Sequence, residues 1–500
     1  MERRLILAIA LSILVLWVWS ALVPKPQPPA ETISTSTGQV NIPLPVPLEQ
    51  PPEPEPPPSL ISFPQEKLEV TFIEPKAAIK EVIFKDYQFY KFPLKYGFFL
   101  DDKSLSFKKE DSPGNTLTFV HSDGNKKIIK RFIFSNSSYS IWLELKLQNL
   151  STVPITVNLP LVLGALDFSP KNIQSRYQDV TVATKDKTLH LNARKNQEIS
   201  GTEFLSLRDR YFCAIIEPEL ENYIGFIKKI NPQESEIGLN LKEILLVPGQ
   251  TMEEKFHIYL GPQELQTISR IKADWASVVH YGAFTFISHL LLQLLEIFYR
   301  LVHNWGVAII ILSVTIYIAL YPFTIKQMRS MKEMQALQPR IEELRRTYKD
   351  NPQKLNKEII ELYRTHKVNP FSGCLPLLLQ IPIFLALYQA LMRSVALKGA
   401  HFLWIKDLSG PDNLFSLIIL GKKIDINILP ILMTIGMFIQ QRTSLGKMSS
   451  SSSEQQKLMT LMFPVMFGLI FYSMPAGLVL YWFINSSLML IYQLRVSRAK

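Results

Sequence analysis

The feature that most constrains this chain of 500 residues is a series of five apolar segments, at about 305–323, 371–392, 426–441, 458–473 and 477–494, with no Asp, Glu, Lys, Arg or His inside any of them. At ~1.5 Å rise per residue, about 20 such residues cross the ~30 Å hydrocarbon core of a bilayer as a helix. The C-terminal half is therefore expected to be solvated by lipid, the third segment being short for the task. Charged residues make up 19% of the chain, below the ~25% usual for soluble domains.

Charge is unevenly spread. The formal net charge is +11, yet residues 60–280 hold 28 Lys/Arg against 27 Asp/Glu, whereas residues 281–500 hold 23 against 11. A basic excess confined to the apolar half fits cationic loops beside membrane spans and argues against nucleic-acid specificity. Cys213 and Cys374 lie far apart in sequence, without metal-ligand spacing, and read as free thiols.

Residues 1–23 open with Glu2, Arg3 and Arg4 before an apolar run from Leu5 to Val23. An uncleaved anchor with a cytoplasmic N-terminus is the reading, with a cleaved signal peptide as the rival; Trp17 and Trp19 and the lack of a small-x-small site favour the anchor. Residues 24–59 carry 13 prolines, a composition that forms an extended tether rather than a core. Residues 60–280 alternate as strands do: Leu68, Val70 and Phe72, then Ile141, Leu143, Leu145 and Leu147. Turn signals such as Ser112-Pro113-Gly114-Asn115 and Asp123-Gly124-Asn125 separate these runs, which predicts a large antiparallel β-sandwich outside the membrane.

In residues 281–303 a polar stripe of His289, Gln293, Glu296, Arg300 and His303 recurs at helical spacing. A helix lying in the membrane interface fits this better than a spanning one, although Glu296 and Arg300 could pair at i,i+4 within a span. The expected core is then span 1 (304–323), a cytoplasmic helical hairpin (324–369), span 2 (370–392), an outer loop (393–425), span 3 (426–441), a cytoplasmic loop (442–457), spans 4 and 5 (458–494) and a cytoplasmic tail (495–500). With the anchor this gives six spans around a five-helix core. The loops expected inside carry 11 (324–369), three (442–457) and three (495–500) Lys/Arg, those outside five (393–425) and none (474–476), as the positive-inside bias requires. In the hairpin, Asp350-Asn351-Pro352 offers an N-cap with proline following. Met328, Met331, Met334, Tyr348 and Tyr363 line either its seam or an exposed contact face.

No GxxxxGK[ST] loop occurs, and His121, His190 and His257 are scattered; nothing argues for an enzyme, a cofactor or a bound metal. An ion-coupled transporter needs ionisable groups at membrane depth, and the spans have none. They do carry Ser313, Thr315 and Tyr317, Gln380 and Gln389, Thr434, Thr460, and Tyr481, Trp482 and Asn485. Ser and Thr can bond to their own helix carbonyls. A carboxamide facing lipid unpartnered costs several kcal/mol, so Gln380, Gln389 and Asn485 either line a shared polar space or bond between helices. A membrane-anchored carbohydrate-binding sandwich is a further reading, and fold alone does not decide it.

Asn304-Trp305-Gly306, Tyr321-Pro322-Phe323-Thr324, Leu337-Gln338-Pro339, NPFSGCLPLLLQIPIFLALYQALM from Asn369 to Met392, and MPAGLVLYW from Met474 to Trp482 together resemble the YidC family of membrane protein insertases. Asp209-Arg210-Tyr211-Phe212 also looks familial. The resemblance implies the Gram-negative form, in the inner membrane with a large periplasmic domain. It also implies an ATP-independent insertase and chaperone that passes nascent membrane proteins through a polar, cytoplasm-open groove. The partners implied are ribosome-nascent chain complexes, the Sec translocon with its accessory subunits, and the lipid bilayer. Two departures stand out. Aligning the NWG and YPFT signatures puts Tyr317 where this family usually carries an arginine, and LFSLIILGKKIDIN near 414–427 reads as an insertion. The tail ends without a long basic extension, so ribosome contact would fall to the hairpin or to the loop bearing Ser449 to Ser453.

Overall fold

The computed structural model describes residues 59–498, apart from 103, 159, 171, 222, 241–242, 350, 367, 369–374, 420–421 and 446–453, and apart from some side chains within helices and strands. The expected anchor, nearly all of the proline-rich tether, Cys374 and the Ser449–Ser453 run lie outside the described residues.

Alternation builds the N-terminal domain. Leu68, Val70 and Phe72 face inward from the strand Leu68–Ile73, and Ile141, Leu143, Leu145 and Leu147 from Ser140–Asn149, all within 5% exposure. The first four strands, Leu60–Pro64, Leu68–Ile73, Ala78–Phe84 and Tyr90–Gly97, form an antiparallel sheet in chain order, and a second sheet of thirteen strands shares one apolar core with it. This is a β-sandwich. Its turns follow from local chemistry: Asp123 Oδ1 accepts the N–H groups of Asn125 (3.0 Å) and Lys126 (2.9 Å), with Gly124 at φ 84° between them, a region few other residues enter. The long strand Gln197–Arg208 changes partner at Gly201 (φ 68°): its first half pairs with Tyr223–Asn231 and its last with Phe212–Pro218. That switch carries Arg208 and the Asp209-Arg210-Tyr211-Phe212 turn to the end of the sandwich nearest the helices.

The helices follow. Helix α1 (Leu265–Ile271) closes the sandwich, and α2 (Thr285–Val302) succeeds it. The polar stripe of α2 turns toward α1: Gln266 Nε2 donates to Glu296 Oε2 (2.7 Å), Arg300 Nη2 reaches Gln266 Oε1 (3.5 Å), and the His289 ring bonds to the Val279 carbonyl (3.1 Å). Phe286, Leu290, Ile297 and Leu301 stay exposed on α2. Helix α3 (Trp305–Ala336) does not stop at Pro322 near the expected end of span 1; it runs on into the segment expected to form the hairpin. Neighbouring helices can re-satisfy the backbone groups that a proline frees in an apolar helix. The hairpin proper is α4 (Gln338–Thr347) with α5 (Pro352–Thr365), whose cap Asn351 accepts from Lys354 N (3.1 Å). Its seam is Leu337, Ile341 and Val368, flanked by Met334, Ile359, Leu362 and Tyr363.

Helix α6 (Leu375–Arg393) leads to a short β-hairpin, Phe415–Ile419 with Lys422–Ile426, and then come α7 (Ile428–Leu445), α8 (Glu454–Phe471) and α9 (Ala476–Arg498). Among the described residues, Gly282–Val302, Trp305–Lys326 and Ala476–Arg495 are long and apolar enough to cross a membrane, and Met462–Phe471 is a shorter apolar helix. Two close approaches fix the packing. A side chain at Gly306 would collide with Phe402 of the loop after α6, and one at Gly468 would collide with Thr434, which holds α7 against α8.

Candidate functional site

Between the helices, the buried polar groups among the described residues are neutral. Gln380 Nε2 on α6 donates to Tyr481 Oη on α9 (2.5 Å), and Asn485, one turn further, bonds to the same hydroxyl. Tyr481 is fully buried, so this is a bond between helices deep in the bundle. The Tyr317 ring on α3 lies tilted against Tyr321 (6.3 Å), which meets Tyr492 of α9 edge-on (5.6 Å). The Tyr317 hydroxyl, Gln441 Oε1 on α7 and Gln493 Oε1 on α9 are buried without a hydrogen-bond partner in the protein. Such atoms are costly in an apolar medium unless water or a visiting polar group meets them.

The remaining candidates divide. Ser313 and Thr315 donate to the carbonyls of Ile309 (2.7 Å) and Ile311 (2.9 Å), and Thr434 to that of Pro430 (2.8 Å), each on its own helix. Trp482 sits in an aromatic cluster with Phe384 (5.2 Å), Phe471 (5.3 Å) and Phe467 (5.7 Å) rather than beside the polar groups. Gln389 is half-buried on α6. In the hairpin, Met334 and Tyr363 contribute to the seam and Tyr348 lies under the Lys354 ammonium (5.0 Å). The side chains of Thr460, Met328 and Met331 lie outside the described residues. Among those described, no cluster of His, Cys, Asp or Glu could hold a metal ion.

A second constellation joins the sandwich to the helices. Asp209 Oδ1 accepts the N–H groups of Tyr211 and Phe212 (both 2.7 Å), folding a tight turn that projects Arg210. Arg210 Nε donates to the Met392 carbonyl at the end of α6 (2.7 Å) and its Nη2 to the Ser409 carbonyl (2.8 Å), while Tyr211 Oη bonds Ser409 Oγ (3.2 Å). Behind it, the buried Arg208 pairs with both oxygens of Asp179 and donates to the carbonyls of Val278 and His280 (both 3.1 Å). Arg393 approaches the same carboxylate at 3.6 Å. Burial alone would raise the Asp179 pKa; the Arg208 guanidinium, then Arg393, hold it below the usual range. Burial, with Arg208 beside it, pushes His280 down to about 3, so that imidazole is neutral and can accept from Arg208 Nη2 (2.6 Å). The sequence pointed to Asp209-Arg210-Tyr211-Phe212 only as a familiar string. Its role depends on contacts nearly 200 residues away, which no local pattern encodes.

The comparisons follow this division. Residues 97–294 match the family model of the YidC periplasmic domain, and residues 297–500 that of the 60Kd inner membrane protein. The membrane protein insertase YidC of Syntrophobacter fumaroxidans is 35% identical over 407 residues, covering 78% of this chain and 72% of that protein. The chain belongs to the YidC family. The YidC of Pelobacter propionicus is 34% identical over 402 residues, covering 76% of this chain and 71% of its own length. Among solved structures, the active YidC insertase with its first transmembrane domain resolved aligns over 88% of this chain and 92% of its own, at 18% identity and a TM-score of 0.41. As a YidC relative, the chain is an inner-membrane, multi-pass insertase with a periplasmic domain. The sandwich is that domain.

Proposed function

We propose that this chain inserts nascent membrane proteins through a groove lined by neutral polar groups, open to the cytoplasm and to lipid, without ATP. The observation that supports it is the Tyr317 hydroxyl buried without a hydrogen-bond partner, with Gln441 Oε1 and Gln493 Oε1 in the same state, in spans without an ionisable residue; Gln380 is already engaged by Tyr481. In this reading a polar segment of the substrate enters the groove while its apolar segment slides into lipid alongside. A charged side chain at the bilayer centre costs about 2.5–3.5 kcal/mol on insertion scales, and a wet half-channel shortens the dry path. Burial of the substrate helix and a membrane potential worth ~2.3 kcal/mol per charge per 100 mV supply the drive. Tyr317 replaces a fixed positive charge by a hydroxyl, so Ser313, Tyr317, Gln380, Gln389 and Asn485 act by hydration and neutral hydrogen bonding.

The remaining organisation belongs to the same proposal. Both termini are cytoplasmic, six spans include the N-terminal anchor, and α2 lies in the outer interface with its exposed Phe286 and Leu301 face in lipid. The α4/α5 hairpin projects into the cytoplasm toward ribosome-nascent chain complexes. The chain works alone or beside the Sec translocon, and also as a chaperone for spans that have entered the membrane.

The test is protease-protected insertion of a small two-span protein into liposomes holding the purified full chain, without ATP or another translocon. Insertion well above empty liposomes is expected, as is a clear loss of rate in the double variant Tyr317→Phe with Gln380→Leu. Unchanged rates in that variant would overturn the neutral groove. No insertion by the folded wild-type chain would make it an accessory chaperone, and Tyr317→Arg the next variant.

A further inference from the structure

We propose that the edge strand Thr188–Leu191, with the cationic cleft beside it, receives extended acidic segments of membrane proteins as they emerge on the outer side. The inference rests on the insertase activity of the family and not on the groove. Thr188–Leu191 pairs with Asp179–Thr184, and among the described residues no strand lies on its other edge. Thr184 N donates to the Lys187 carbonyl across the turn (2.9 Å). By the alternation of an antiparallel ladder, Leu189 and Leu191 then bond back to Asp179–Thr184, and the backbone N–H and C=O groups of Thr188 and His190 face outward. Both residues are exposed. Proline, charge and bulges blunt most edges; this strand holds no proline, no Lys, Arg, Asp or Glu, and no register shift. An extended chain can therefore add to it, with main-chain hydrogen bonds for affinity and alternate side chains for specificity.

Charge decides which chain. Lys187 precedes the strand and Arg194 and Lys195 follow it, against Asp186 alone. Beside the strand opens a cleft of about 310 Å³ lined by Phe168, Arg176, Asp179, His190, Arg194 and His280. The edge and the cleft adjoin, since His190 belongs to both. Arg194 stacks over the Phe168 ring (5.2 Å) and Arg176 over the Tyr177 ring (4.9 Å). Stacking holds a guanidinium in place while its in-plane N–H groups stay free to fork onto a carboxylate. No carboxylate among the described residues pairs with either arginine, and the one acid of the cleft, Asp179, is taken by Arg208 and Arg393. Arg393 ends α6, so the cleft lies at the outer end of a bundle helix, where a translocated segment leaves the membrane. Outer segments of inner-membrane proteins are poor in Lys and Arg, and a potential positive outside draws their acidic residues outward. A headgroup phosphate would meet the arginines but leave the edge strand unused.

The experiment is peptide binding to the full chain in phosphatidylcholine nanodiscs, read by fluorescence anisotropy at low salt. The probe is a short labelled peptide of alternating Asp and Thr, so that every second side chain can face the cleft. The wild-type chain is expected to bind it. The double variant Arg176→Glu with Arg194→Glu should bind about tenfold more weakly or worse, since two charge-assisted contacts are lost. Both side chains are exposed, so an unchanged melting temperature is expected and checks the fold. The same peptide with Asn for Asp, and the same peptide methylated on its main-chain nitrogens, should each bind far more weakly. No binding by the folded wild-type chain, or equal affinity for the Asn peptide or in the arginine variant, would overturn the proposal. Binding that survives main-chain methylation would overturn strand pairing and leave an anion site alone. Displacement of the acidic peptide by glycerol phosphate but not by glutamate would overturn the polypeptide in favour of a lipid headgroup. The readout is binding, so none of these results bears on insertion through the groove.

Discussion

The sandwich and the helical bundle solve the burial of polar groups in opposite ways. The sandwich takes ionisable groups inside: Arg208 as a full charge against Asp179, and Lys130, whose Nζ donates to the carbonyls of Ala77 (2.7 Å) and Phe98 with no counter-charge beside it. Within the spans, the buried polar groups among the described residues are neutral, and Ser313, Thr315 and Thr434 bond on their own helix. The lesson is energetic. A water-solvated domain can hold a buried ion because the surrounding backbone dipoles and a counter-charge replace its hydration; a lipid-solvated bundle forgoes ions and tolerates a few carboxamides and hydroxyls. Removing a polar partner should therefore hurt the sandwich far more than the bundle, while the bundle should be sensitive to volume.

The harshest test is Arg208→Ala. It leaves Asp179 buried beside Arg393 without its bidentate partner and should cost about 3–5 kcal/mol, read as a drop in thermal unfolding of the purified chain; a loss below about 1 kcal/mol would show the site to be wet. Next is Gly306→Ala, whose new methyl collides with Phe402. Overpacking of this kind costs about 1–3 kcal/mol, read as a lowered melting temperature, and Phe402→Ala should restore it only in part, because the Cβ at 402 itself lies 2.5 Å from the new methyl.

Lys130 gives a pH signature. Burial lowers its pKa to about 7, below the ~10.4 of a solvated lysine. Between those values the unfolded chain binds more protons than the folded one, so stability rises with pH from about 7 toward 10, by at most about 1.4 kcal/mol per unit from this group. The difference between wild type and Lys130→Met in denaturant midpoint across that range reads it directly. If the difference is flat, Lys130 stays charged in the fold. The gentlest change is Tyr481→Phe, which leaves Gln380 without its partner. Interhelical bonds in bilayers average about 0.6 kcal/mol, so melting in lipid should scarcely move while insertion slows. A large loss of stability would erase the contrast between the two regions.

What the sequence made legible follows the same division. Alternation in Leu68–Phe72 and Ile141–Leu147 identified buried faces because a sheet side chain's environment is set by parity alone. The Asn351 cap and the Met334 seam were likewise local. The apolar run of span 1 was read as ending at 323, and the helix continues through Pro322 to Ala336, because the end of an apolar run does not by itself end a helix. Within the candidate site, residue types singled out Gln380, Tyr481 and Asn485, since carboxamides in an apolar run demand a partner, but which hydroxyl Gln380 meets is a matter of packing. Arg208 and Lys130 drew no notice, because a buried cation looks like a surface cation until its surroundings are known.

The grip of Arg210 on the helices has a consequence for tolerance to change. Both of its strongest bonds end on main-chain oxygens, those of Met392 and Ser409. The joint therefore registers the path of the backbone and is nearly blind to the residue types along it. Exchanging the side chains at 392 and 409 leaves those two bonds in place and removes the weaker contacts of Tyr211 Oη with Ser409 Oγ (3.2 Å) and of Arg210 Nη2 with Met392 Sδ (3.6 Å). Adding or deleting one residue between them would displace the Ser409 carbonyl relative to that of Met392, so that one guanidinium could no longer meet both.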